Sequence, residues 1–203
     1  MDVECVTAEA AGFTANAWLV QGSETTLVDV GAMEDVAEVV ATRIDHLDSV
    51  VITHQHGDHV AQLEEIVEAF DPAVFAFQPI RPDTVSVADG ETVAIGGELF
   101  EAVHTPGHAE DHLAFAGESA LFSGDVVVYN DGAFANGSFG RTDMAGQDRE
   151  TLVESLRELL DRLPQGVDSM YAGHGDAYHG DVRAVIERAL KRAERYEPKY
   201  PDE

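Results

Sequence analysis

The chain is short of positive charge, of cysteine and of long apolar runs, and each shortage excludes something. Twelve Lys and Arg stand against 39 Asp and Glu, a formal net charge of −27 over 203 residues. Lysine is the scarcest of the charged types, with only Lys191 and Lys199. A field of that sign repels nucleic acid and anionic membrane surfaces, so neither is expected as a partner. The acidic residues are spread along the chain and form no tail. They destabilise the compact state by self-repulsion unless salt screens them. Such an acidic, lysine-poor composition fits a cytoplasmic protein of a high-salt organism. A single cysteine, Cys5, excludes an internal disulfide and a cysteine-based zinc site. It reads as a small buried strand residue. No apolar run nears the ~20 residues that a membrane span needs. The acidic start Met1-Asp2-Val3-Glu4 carries no visible secretory or transit signal.

What is present is enough hydrophobic residue, 44%, for a substantial core, expected as one domain over residues 1–203. Short apolar segments at Val3–Thr7, Ala17–Gln21 and Thr25–Val30 read as strands, and Glu34–Ile44 has helical spacing. A buried strand over Ser49–Thr53 and a helix over Val60–Phe70 follow. A hairpin-rich middle leads to strands at Leu99–His104, Leu113–Phe115 and Ala120–Ser123. Residues 126–143 form a long loop without periodicity, and loops of that length are usually functional lids. Helices over Asp148–Leu163 and Asp181–Tyr196 enclose a strand at Ser169–Ala172, and Pro198–Glu203 reads as a frayed tail. Strands then helices, twice over, predict an α/β sandwich of two facing sheets with helices outside.

The chemistry concentrates after the strand Val50-Val51-Ile52, where Thr53-His54-Gln55-His56-Gly57-Asp58-His59 offers nothing apolar to bury. Unpaired polar groups inside a fold cost on the order of 1–3 kcal/mol each. A divalent metal removes that difficulty by taking up nitrogen and oxygen lone pairs. His54 and His56, two apart in extended chain, face one way. Asp58 and His59 diverge and can face a second metal or the reacting water. Three more apolar strands end in His108, Asp125 and His174. Strand ends gathered at one rim can converge on a single site.

Taken together, His54-Gln55-His56-Gly57-Asp58-His59, His104-Thr105-Pro106-Gly107-His108, Ser123-Gly124-Asp125 and Gly173-His174-Gly175 resemble the metallo-β-lactamase superfamily, in order and over nearly the full chain. Ser138-Phe139-Gly140-Arg141-Thr142-Asp143 resembles a segment of its glyoxalase II-like branch. The resemblance implies a four-layer αββα sandwich of two mixed β-sheets. It implies two adjacent divalent metal ions, zinc first and iron or manganese as alternatives. His54, His56 and His108 would hold one, and Asp58, His59 and His174 the other. Asp125 would bridge them, with a hydroxide bridging on the open side, and Asp58 would be the catalytic residue that orients that hydroxide or handles its proton.

Around this set, His112 and His104 are candidates for orienting ligands, His112 the better one. His179 is a candidate for the pocket mouth, and His46 reads as a surface residue. Arg141 is a candidate for an anionic substrate end, against a structural ion pair with Asp143 or Asp125. Tyr129, Phe134 and Phe139 could line the pocket or pin the loop.

Within the resemblance several branches fit poorly. The β-lactamases commonly carry Cys where this chain has Asp125, and the nucleases need an added domain and a basic surface. The flavodiiron proteins have Glu where this chain has His56. Glyoxalase II adds a C-terminal helical domain, and only one short helix follows His174 here. The expected function is dinuclear hydrolysis of a thioester, or a related ester or lactone, on a small-molecule substrate by a monomer or homodimer. The alternatives are a mononuclear iron persulfide dioxygenase and a non-catalytic metal-dependent binding or regulatory protein.

Overall fold

The computed structural model describes residues 1–199; part of the expected tail, 200–203, lies outside the described residues. The first half of the chain builds one sheet from β1 (Asp2–Cys5), β2 (Trp18–Gln21), β3 (Thr25–Val28), β4 (Ser49–Val51), β5 (Ala73–Ala76) and β6 (Val85–Ser86), in that spatial order. Its helices are α1 (Val36–Ala41), α2 (Gly57–Val60) and α3 (Leu63–Phe70). The first three strands pair antiparallel and the rest parallel. The second half builds the other sheet from β7 (Thr92–Ile95), β8 (Glu98–His104), β9 (Leu113–Ala116), β10 (Ala120–Gly124), β11 (Ser169–Ala172) and β12 (Tyr178–His179). There only β10 and β11 run parallel, with α4 (Arg149–Arg162) in the crossover between them and α5 (Val182–Glu194) after β12.

Strand alternation sorts the apolar side chains into layers. Trp18, Val20, Val28 and Val51 face Phe100, Leu113, Phe115 and Phe122 between the sheets. Their neighbours Leu19, Leu27 and Val50 point the other way, onto Val36 and Val40 of α1 and Leu63 and Ile66 of α3. On the far side Val103, Ala114 and Leu121 pack on Leu152, Leu156 and Leu159 of α4 and Val185, Ile186 and Ala189 of α5. Both sheets are mixed and covered by helices, the expected four-layer αββα sandwich. Among the described residues no helix is long and apolar enough to cross a membrane.

Two helices begin on capping carboxylates: Asp148 accepts from the Thr151 amide and Asp181 from the Ala184 amide. The expected helix over 60–70 begins earlier and is broken. Gly57–Val60 forms a turn of its own, so Asp58 and His59 are helical. Gly57 opens that turn, with His56 still extended before it. The stretch 126–143 is buried at 126–128 and 137–140, where Val128 pairs with Ser138, and half-buried or exposed between them.

Candidate metal centre

Both sheets deliver their strand ends to one rim, where backbone bonds join them. The Leu113 amide donates to Thr53 O at 2.8 Å and the Asn16 amide to Gly173 O at 2.7 Å, while the Trp18 indole donates to Ala172 O at 2.9 Å. His54 and His56 follow β4, Asp58 and His59 lie in α2, His108 follows β8, Asp125 follows β10 and His174 follows β11. Their donor atoms fall into three groups able to hold a metal ion, each within 4.8 Å: His54, His56 and His108; His54, His59 and Asp125; Asp58, His59 and His174.

In the first group His56 Nδ1 lies 3.0 Å from His54 Nε2 and 2.9 Å from His108 Nε2. Asp125 sits between this group and the third. Its Oδ2 is 3.3 Å from His108 Nε2 and 3.6 Å from His174 Nε2, and its Oδ1 is 3.6 Å from His59 Nε2. His174 Nε2 is 3.0 Å from Asp58 Oδ2.

A layer of partners behind these groups turns their lone pairs inward. His108 Nδ1–H donates to Arg141 O at 2.8 Å, and His54 Nδ1–H to Thr53 Oγ1 at 3.1 Å. His59 Nδ1–H donates to Asp29 Oδ2 at 2.8 Å. Asp29, buried and at φ 55°, also accepts from the Thr53 amide and hydroxyl. His112 accepts the Asp125 amide proton on Nε2 at 2.9 Å, so its Nδ1–H donates to Thr105 Oγ1 at 2.7 Å. Two glycines make room: a Cβ on Gly173 would lie 2.3 Å from Asp125 Oδ1, and one on Gly140 2.7 Å from His108 Nδ1.

Electrostatics divide the groups. Burial, and then the crowd of imidazoles, push His54 well below its usual value, and burial lowers His108. Burial also acts against charge on His59, but Asp29, Asp125 and Asp58 outweigh it and hold it at about 9. His174 is raised likewise, Asp125 and Asp58 overcoming its burial. Asp125 and Asp58 are held below the carboxylate range because neighbouring imidazoles overcome their burial. His59 Nε2 and Asp125 Oδ1 are buried without a hydrogen-bond partner among the described residues. With His59 Nδ1–H given to Asp29, Nε2 offers a lone pair as Asp125 Oδ1 does, and two such atoms 3.6 Å apart amid imidazole nitrogens fit a borderline cation.

The groups open into a cavity of about 360 Å³ whose walls include Arg141, Asp131 and Lys199. Arg141 lies there with its guanidinium forked onto Asp143 at 2.9 Å. Two expected pocket residues lie elsewhere. His179 pairs in register with Ser169 at the start of β11, because Gly175 reverses the chain after His174 and β12 runs back along the strand. Tyr129 bridges to Gly175 through its backbone, and its ring packs on Tyr178 at 4.6 Å. His104 turns outward, stacked on Phe77 at 4.2 Å and bonded to Glu110 O.

Lys199, expected in a frayed segment, is buried on Asp131 Oδ2 at 2.6 Å and Phe139 O. Asp29 also escaped the sequence reading. A carboxylate closing an apolar strand, the feature that singled out Asp125, was the available signal.

The sequence model of the metallo-beta-lactamase superfamily matches residues 10–84. The chain is 35% identical over 171 residues to the thioesterase pkgB of Emericella nidulans, covering 80% of this chain and 46% of that protein. It is 33% identical over 154 residues to a hydroxyacylglutathione hydrolase of Vibrio campbellii, covering 73% and 57%. The chain spans about half the length of the curated relatives it matches. The crystal structure of TTHA1623 in a di-iron-bound form superposes with a TM-score of 0.70 at 25% identity, covering 93% of this chain and 98% of that one. With that match over residues 10–84, two facing mixed sheets and His and Asp groups at their shared rim, the chain has the metallo-beta-lactamase fold.

Proposed function

We propose that the protein is a metal-dependent hydrolase of small thioesters, or of a related ester or lactone. The observation that carries this is the convergence of His54, His56, Asp58, His59, His108, Asp125 and His174, five of which (His56, Asp58, His108, Asp125 and His174) line a small-molecule-sized cavity, with His59 Nε2 and Asp125 Oδ1 lacking a hydrogen-bond partner among the described residues. The relatives named as thioesterase and hydroxyacylglutathione hydrolase support the thioester class.

In this reading His54, His56 and His108 would hold one metal, Asp58, His59 and His174 would hold a second, and Asp125 would serve both. When bound, such ions acidify a water toward neutral pH and polarise a carbonyl. Zinc is the first expectation, and the di-iron form of TTHA1623 supports iron as an alternative. The chain's own groups do the rest. Asp29, Thr53, His112 and the Arg141 carbonyl fix the ring tautomers and the Asp125 backbone. Asp58 stays ionised, so it orients a proton donor better than it supplies a proton. Arg141 lines the cavity, but its guanidinium is forked onto Asp143, which favours the structural ion pair over binding of an anionic substrate end.

Metal counts and thioester rates on two variants test the proposal. Asp125→Ala is expected to lower occupancy of both sites and abolish hydrolysis. His174→Ala is expected to cost chiefly one metal and slow hydrolysis sharply. Full metal content with unchanged hydrolysis in His174→Ala would refute the two-metal assignment. One iron per wild-type chain, with oxygen uptake on a persulfide, would replace hydrolysis by dioxygenation.

A further inference from the structure

Phe13 is the most exposed large hydrophobic side chain among the described residues, at 81%. Single exposed apolar residues are ordinary on a protein surface. This one differs in where it stands and in how it is held. Its ring stacks on the His174 imidazole, with centroids 5.2 Å apart and planes at 17°, and it lines the cavity over the metal groups.

The residues that follow it are tied to both ligand-bearing segments. The Ala15 amide donates to Asp58 O at 3.1 Å and the Asn16 amide to Gly173 O at 2.7 Å. The Asn16 side-chain amide donates to Ala172 O and Gly175 O, each at 3.0 Å, on either side of His174. Thr14 Oγ1 accepts from the Ala32 amide at 2.7 Å. The base of the loop is therefore fixed to the site while the ring at its end faces water. Met144, also largely exposed, lines the same cavity.

We infer that Phe13 is a specificity-determining residue whose ring receives an apolar group of the substrate adjoining the reacting carbonyl. The inference rests on the hydrolase reading given above. A ring stacked on one of the metal-binding imidazoles lies within a few bonds of any carbonyl presented to that centre. What it covers is thus the first carbons of the acyl chain or of the thiol, and the cavity admits a short chain. An apolar group laid on the ring would take its exposed surface out of water, so selectivity should grow with each methylene added.

The experiment uses metal-loaded wild type, Phe13→Ala and Phe13→Leu. One substrate series holds the thiol as N-acetylcysteamine and lengthens the acyl group from acetyl to butanoyl to hexanoyl. The other holds acetyl and lengthens the thiol from ethyl to butyl to hexyl. In wild type kcat/KM should rise about threefold to fourfold per methylene in one series. Which series rises tells whether the group belongs to the acyl or the thiol side. Phe13→Ala should flatten that rise and Phe13→Leu restore part of it, with metal content and Tm equal in all three. A wild type flat in both series, or a rise kept in Phe13→Ala, would overturn the inference.

Calorimetric titration with two unreactive amides, N-ethylhexanamide and N-hexylacetamide, gives a readout that needs no turnover. One of them should bind wild type about tenfold more tightly than Phe13→Ala. If wild type hydrolyses no thioester, the hydrolase reading falls, and equal affinities of the two proteins for both amides would remove the role of Phe13 as well.

Discussion

Asp29 shows how one residue behind the site governs several in front. Its carboxylate collects the Thr53 amide, the Thr53 hydroxyl and His59 Nδ1 in a buried pocket, at a positive φ. Asn tolerates that backbone conformation, so Asp29→Asn removes the charge without adding strain. It is expected to lower stability by about 2–3 kcal/mol, as loss of a charged buried hydrogen bond does. Affinity for the second metal should fall by roughly 10- to 100-fold. Urea unfolding and a metal-buffer titration check the two effects, and an Asp29→Asn protein that binds both metals as wild type does would remove Asp29 from the site.

Protonation carries a second expectation at this scale. His54 and His108 are held neutral and ready to ligate, whereas His59 keeps a proton up to about 9. Metal must displace that proton. Filling the second site at pH 7–8 should release about one proton from His59 and a further fraction from His174, which is raised as well, and the release fades above pH 9. For the metal-free fold the sign is set by the raised value. The stabilisation from His59 pairing is complete below its unfolded pKa of about 6.5 and lost as pH rises through about 9. Indicator-dye titration in weak buffer measures the release, and a release independent of pH across that range would contradict it.

At the scale of elements, the 126–143 segment was expected to be a lid because it lacks periodicity, but α5 and the tail hold it as a wall. Arg192 stacks over Phe134 at 4.5 Å and donates to Ala135 O at 3.0 Å and to Gly137 O. Arg188 donates to Asn136 O, and Lys199 ties Asp131 and Phe139. Arg149 of α4 lies 4.1 Å over Phe139. A basic minority in a very acidic chain is thus spent partly on the carbonyls of one loop, which no apolar pattern in the loop itself could announce. Arg192→Ala should speed amide hydrogen exchange in residues 131–139 while leaving β10 protected, at a stability cost of about 1–2 kcal/mol. Unchanged exchange in the loop would show that its own packing suffices.

Over the whole molecule the charge of −27 is the dominant long-range term. Ion pairs engage much of the basic minority, as where Arg162 meets Asp89, Glu101 and Glu158, and leave a large acidic excess. Screening length falls from about 10 Å at 0.1 M to about 3 Å at 1 M salt. Tm is therefore expected to climb steeply from low to molar monovalent salt, and a flat profile by calorimetry would count against repulsion as a major term.

The sequence by itself determined what depends on near neighbours along the chain. Alternation placed Leu19, Leu27 and Val50 on one face and Trp18, Val20 and Val51 on the other, and the polar interruptions after apolar strands marked His54 to His59, His108, Asp125 and His174. These are local departures from a period, so they are legible without coordinates. Only the tertiary structure decided what depends on register and on the packing of one sheet against the other. It carried His179 to the far end of β11, turned Tyr129 onto Tyr178, placed Asp29 behind His59 and brought Phe13 and Lys199 to the cavity. The reason is that strand pairing and sheet stacking join segments tens to more than a hundred residues apart. A one-residue change of register between β11 and β12 would send His179 to the opposite face while leaving the local pattern of the sequence unaltered.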